Sequence, residues 1–120
     1  MTQFSNKYDL EERTAKFGES VIEFCKSVKQ DAITKSLISQ LVRSGTSIGA
    51  NYMEANAASS KKDFQNKIFI CKKEAQETKH WLRMLKSCFK DKVPELDLLW
   101  KEAQELTFIF QKITTTLRTK

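Results

Sequence analysis

The sequence predicts an all-α fold, an up-down-up-down antiparallel four-helix bundle, and three observations carry that prediction. Lys, Glu, Leu, Ala, Gln and Ser dominate a chain of 120 residues with only three glycines and one proline, too few for a succession of hairpins. Apolar residues recur at alternating spacings of four and three through four stretches. Those stretches are separated by only a few residues, so each helix must fold back beside the one before it. The length fits one domain, which buries roughly two-thirds of the surface its unfolded chain would expose.

The first helix is expected over residues 9–29. Asp9 with Glu12 reads as a capping box, and Leu10, Thr14, Phe17, Val21, Phe24 and Val28 form the inward stripe. The second runs from about 31 to 57, with Leu37, Leu41, Ser44, Ile48, Asn51 and Ala55 inward and Ile38, Val42 and Tyr52 widening the stripe. Ser60 and Asp63 open a third helix, 61–90, in which Phe64, Ile68, Cys71, Ala75, Thr78, Leu82, Leu85 and Phe89 keep the alternation over four heptads. Pro94 suits the first turn of a fourth helix, 94–118. Glu95 and Asp97 lie favourably against its dipole, and Leu96, Leu99, Ala103, Leu106, Phe110, Ile113 and Leu117 follow.

The middle of the second helix, LVRSGTSIGANYMEA at 41–55, contains poor helix formers. Each interior glycine costs about 1 kcal/mol relative to alanine, so Gly45 and Gly49 need a compensating interaction. Ser44, Gly45, Gly49 and Ala50 make a narrow surface on which another helix can approach closely. A phosphate loop is disfavoured, because no preceding strand and no G-x-x-x-x-G-K-[ST] pattern is present. Arg43, Ser47, Asn51 and Glu54 share this helix, and buried polar atoms among them need partners, with Glu77 and Thr78 of the third helix as candidates. Such a network either fixes helix register or forms a ligand site.

R-S-G-T-S-I-G-A-N-Y-M-E-A at 43–55, S-K-K-D-F at 60–64 and E-T-K-H-W-L at 77–82 resemble the bacterial four-helix-bundle proteins encoded within 23S rRNA intervening sequences. The resemblance spans essentially the whole chain in order. That family is in turn similar to the accessory protein of diversity-generating retroelements, a pentameric basic bundle that works with a reverse transcriptase and nucleic acid. The resemblance implies a homopentamer.

Charge is segregated. The chain carries a formal charge of +6, and residues 61–92 hold ten Lys or Arg against four acids, while the remainder holds eleven of each. Lys72, Lys79, Arg83, Lys86 and Lys90 fall on one stripe of the third helix, extended by Lys61 and Lys62. This stripe is expected to contact RNA or DNA through phosphates, a solvated helix face being the alternative. No RNP aromatic motif, KH loop or helix-turn-helix supports base-specific readout. Docking of an acidic partner protein is the second functional class.

Ile70, Trp81, Met84 and Cys88 lie on the third helix's other flank, and Leu98, Trp100, Phe108 and Ile109 lie off the seam of the fourth. Two apolar faces on one helix call for two partners, so Ile70, Trp81, Met84, Trp100 and Phe108 are read as an interface between copies; a widened single core is the alternative.

Enzyme readings fail on residue types. Glu77-Thr78-Lys79-His80 matches the Glu-x-x-His of di-iron bundles, but such sites need two histidines and this chain has one, placed off the seam. The same histidine would have to serve as base for any nucleophilic cysteine, and no motif surrounds it. Glu74 and Glu77 occupy neighbouring positions on a helix surface. The protein is therefore expected to be non-enzymatic, with no metal and no cofactor. Cys25, Cys71 and Cys88 are read as reduced, buried thiols. The N-terminal MTQFSNKYDLEE lacks a secretory run, and no stretch of about 18 apolar residues occurs, so a cytoplasmic, non-membrane protein is expected.

Overall fold

The computed structural model describes residues 9–118, so the leader reading of the N-terminus falls largely outside the described residues. Four α-helices form among the described residues: α1 (Leu10–Ser27), α2 (Ala32–Asn56), α3 (Lys61–Cys88) and α4 (Val93–Arg118). A single 3-10 turn, Lys90–Lys92, leads into α4. Among the described residues no helix is long and apolar enough to cross a membrane.

The termini follow their side chains. At α2, Asp31 accepts hydrogen bonds from the Ile33 and Thr34 backbone N–H groups, both at 2.9 Å, while its own N–H donates to the Thr34 hydroxyl at 2.8 Å. This reciprocal box holds the Asp31 carboxyl below its ordinary range, chiefly through the Thr34 N–H. At α3, Ser60 Oγ accepts from the Asp63 N–H at 3.0 Å, as expected. The Asp9–Glu12 box does not form: Asp9 sits at φ −96°, ψ 21° and makes no side-chain cap bond. A cap residue must be extended for its side chain to reach back over the first turn, and Asp9 is not. α1 and α3 also stop two residues short of their expected ends, α1 where Val28 turns extended and α3 at Phe89, whose N–H still bonds the Leu85 carbonyl.

Consecutive helices are antiparallel. Thr14, Gly18 and Val21 of α1 face Gly49, Thr46 and Gly45 of α2. Along α2 and α3, Arg43 meets Glu77, Ser44 meets Thr78, Ile48 meets Cys71, and Glu54 meets Lys67. Of the seam predicted for α3, Ile68, Cys71, Ala75, Thr78, Leu82 and Leu85 are fully buried, while Phe64 and Phe89 at its ends are half-buried against the core. On α2 the buried position is Ile38, whereas Leu37 is half-buried.

The glycines in α2 serve packing. A Cβ on Gly45 would lie 3.1 and 3.3 Å from the two Val21 methyls, and one on Gly49 would lie 3.2 Å from Thr14 Oγ1. The narrow surface is thus where α1 seats, but Ser44 faces α3 instead and Ala50 is exposed.

α1 packs mainly on α2, and α4 mainly on α3; α1 and α4 touch only sparsely. A groove of about 460 Å³ separates them, with Phe17 and Leu99 buried beneath it and the exposed Leu98 along its side. It is spanned by one bidentate ion pair, Arg13 Nε and Nη2 donating to Glu102 at 2.7 and 2.9 Å.

Candidate nucleic-acid interface

The basic stripe lies along the α3–α4 boundary and is organised as a ladder. Lys72, Lys79 and Lys86 follow one another at heptad spacing on α3, and Gln111, Gln104 and Asp97 answer them at the same spacing, in reverse order, on α4. The Lys72 ammonium donates to Gln111 Oε1 at 2.7 Å, Lys79 to Gln104 Oε1, and Lys86 to Asp97 Oδ1 at 2.7 Å. Successive rungs are roughly 10 Å apart along the helix. All three lysines are half-buried, their stems lying on apolar surface with the charged ends toward the edge. Lys79 Nζ also stands 5.4 Å from the Trp100 ring centroid, and Lys72 Nζ stands 5.2 Å from that of Phe69.

The partner chemistry matters for electrostatics. A glutamine carbonyl holds an ammonium in place without cancelling its charge, so two of the three rungs remain positive. Only Lys86 faces a carboxylate. Arg83, Lys90, Lys61 and Lys62 are exposed and make no ion pair among the described residues. The predicted stripe therefore divides into three lysines fixed against α4 and four free cations beside and beyond them.

The polar network occupies the opposite flank of α3, where it meets α2. Arg43 donates to Glu74 at 3.2 Å and to Glu77, and the Trp81 indole N–H donates to Glu77 Oε2 at 3.0 Å. The indole bond, helped by Arg43, holds the Glu77 carboxyl below the usual range against the opposing effect of partial burial. In the core, Thr78 Oγ1 lies 2.9 Å from Ser44 Oγ and 2.7 Å from the Glu74 carbonyl. Asn51 does not reach Thr78 or Glu77: its amide donates to the Ser47 carbonyl one turn back, at 2.8 Å, and Ser47 in turn donates to the Arg43 carbonyl at 2.6 Å. Glu54 pairs with Lys67 at 2.6 Å. Each is too far along the antiparallel register to meet Glu77. No buried side-chain polar atom among the described residues lacks a partner.

Of the predicted apolar second face, Trp81 and Trp100 are half-buried and pack against the core cluster, Ile70 and Met84 are half-buried, and Phe108 is 58% exposed. Cys25 and Cys71 are buried, and desolvation pushes their thiols up to about 11 and about 12. Cys88, expected inside, is exposed, because it lies at the last turn of α3 on the flank away from the seam. His80 is exposed with its ring edge-on to Trp81. Among the described residues no group of three or more His, Cys, Asp or Glu gathers into a metal-binding cluster.

Phe69, which belongs neither to the expected stripe nor to the expected seam, is 54% exposed one helical turn before the first ladder lysine. Its signal was available: a large aromatic off the seam, flanked by Gln65, Asn66 and Lys72.

A family model described as 23S rRNA-intervening sequence protein matches residues 6–112. The chain belongs to that family. Among solved structures it is similar to a Bacteroides thetaiotaomicron VPI-5482 protein of unknown function from the S23 ribosomal protein family. The two are 30% identical over 87% of this chain and 96% of that one, with a TM-score of 0.77. No curated protein matches the chain. Neither similarity points to an enzyme family.

Proposed function

We propose that this bundle is a non-enzymatic protein that binds the phosphate backbone of RNA or DNA along the α3–α4 boundary. The observation that carries the reading is the lysine ladder: ammonium groups at heptad spacing, two of them held by neutral amides, with free cations beside them. Fixing the side chains in advance reduces the ordering cost of contact with a polyanion, and leaving them charged retains the counterion-release contribution. We further propose a homopentamer, supported by the family resemblance and by the partly uncovered Ile70, Trp81, Met84, Trp100 and Phe108. A ring would multiply the field of each ladder.

Arg83→Glu/Lys90→Glu tests the binding reading, because both residues are exposed and make no ion pair among the described residues, and a circular dichroism spectrum like that of wild type establishes that the variant is folded. Binding at low salt that weakens at least tenfold in this variant supports it. No binding of RNA or DNA by the wild type, or equal binding by the variant, refutes it. Capture of an acidic protein with no nuclease-sensitive material would favour the scaffold class instead. Light scattering of about five protomer masses, reduced by Trp81→Asp, is expected for the assembly; a monomer at micromolar concentration contradicts it.

A further inference from the structure

Beside the first rung of the ladder lies a small recess of about 210 Å³, lined by Gln65, Asn66, Phe69 and Lys72 of α3 and Thr114 of α4. Its composition differs from the rest of the basic edge. Phe69 leaves more than half its surface in water, although nothing in the α3 seam requires an aromatic there. Gln65 and Asn66 stand one turn before it, and their amides make no hydrogen bond with any described residue. Lys72 caps the ring at 5.2 Å while its ammonium is held by Gln111. An exposed ring, two uncommitted amides and a fixed cation are the three components with which proteins hold an unpaired nucleobase. The ring stacks, the amides meet the donor and acceptor edge of the base, and the cation takes the adjoining phosphate.

We infer that this recess is a nucleobase site, so that the polynucleotide bound along the ladder is single-stranded and places one base against Phe69. The inference rests on the backbone-binding reading and specifies the form of nucleic acid it takes. A duplex keeps its bases stacked on one another and has none to offer Phe69, so only a strand with unpaired bases gains the contact. The path of the strand follows from the fold. From the recess the ladder continues through Lys79 to Lys86, roughly 21 Å beyond Lys72, which gives the backbone a straight path on one edge.

The test is fluorescence anisotropy at low salt with labelled oligo(dU) and oligo(U) and with a duplex of equal length, on wild type, Phe69→Ala, Phe69→Trp and Arg83→Glu/Lys90→Glu. Wild type should prefer the single strands. Phe69→Ala should weaken single-strand binding roughly 5- to 150-fold, the range of one stacking contact, and leave duplex binding unchanged. Phe69→Trp should restore it, with quenching of the introduced indole on titration. Preference between oligo(U) and oligo(dU), which differ only in the 2′-hydroxyl, assigns the sugar. Because Phe69 is exposed, a circular dichroism spectrum and melting point like those of wild type establish that the alanine variant is folded. Single-strand binding unchanged in Phe69→Ala but lost in Arg83→Glu/Lys90→Glu overturns the base site and leaves the backbone reading standing. No binding by the wild type overturns both.

Discussion

Replacing Gly45 by alanine and Gly18 by alanine should move stability in opposite directions, although helix propensity alone makes both favourable by about 1 kcal/mol. At Gly18 a new Cβ would meet Thr46 Cα and Cγ2 at 3.6 Å, ordinary van der Waals contact, so the propensity gain is realised. At Gly45 it would lie 3.1 and 3.3 Å from the two methyls of Val21, whose side chain is fully buried. Valine is stiff about χ1 and this one is fully buried, so the contact is relieved chiefly by moving α1 off α2. Overpacking of that kind costs about 1–3 kcal/mol, which outweighs the gain. A domain of this size loses about 4 °C of Tm per kcal/mol. Gly18→Ala should therefore melt up to about 4 °C above wild type, and Gly45→Ala should melt below it by up to about 8 °C. Thermal unfolding followed at 222 nm at fixed protein concentration decides the matter. A Gly45→Ala protein as stabilised as Gly18→Ala would show that α1 does not seat in this groove.

The remaining expectations concern the ion pair and the thiols. Arg13→Ala removes the bidentate bond across the α1–α4 groove, and because both side chains are about a third exposed the loss should be about 0.5–1 kcal/mol, or roughly 2–4 °C in Tm; no change would mean that the groove is not held by this pair. A maleimide added to native protein should label one thiol, Cys88, with Cys25 and Cys71 reacting only in denaturant, as counted by mass spectrometry. Their folded-state values of about 11 and about 12 exceed the ordinary 9.0, so the unfolded chain ionises first. Stability should be intact below about pH 9 and fall as the pH rises from there, and the fall should be shallower in Cys71→Ala; an equal slope in both proteins would contradict the assignment.

The middle of the α3 seam, Ile68 to Leu85, is legible because burial there depends only on helical period, which the sequence states directly, whereas Phe64 and Phe89 at its ends are half-buried. Ser60 was legible as a cap for the same local reason, and Asp9 was not, since a cap forms only where the cap residue itself is extended, and Asp9 is not. The glycines announced close packing but not the partner: that Thr14, Val21 and Gly18 of α1 meet them depends on register between two helices. The same limit explains the ladder. A helical wheel placed Lys72, Lys79 and Lys86 together, yet only the antiparallel register of α4 brings Gln111, Gln104 and Asp97 opposite them. Asn51 was misassigned because half-burial let it bond within its own helix. Cys88 reads as buried from its apolar sequence neighbours, but its place at the last turn of α3, off the seam, leaves it exposed. Phe69 was overlooked because an aromatic off the seam breaks the pattern being followed, and such a break is where a binding residue is to be sought.

The salt dependence of single-strand binding tests most directly whether the ladder is an electrostatic backbone site. With about four phosphates neutralised per protomer, log K should fall linearly with log salt at a slope near −3, and Arg83→Glu/Lys90→Glu should flatten it by at least one unit. A slope near zero, or one that the variant leaves unchanged, would contradict the account.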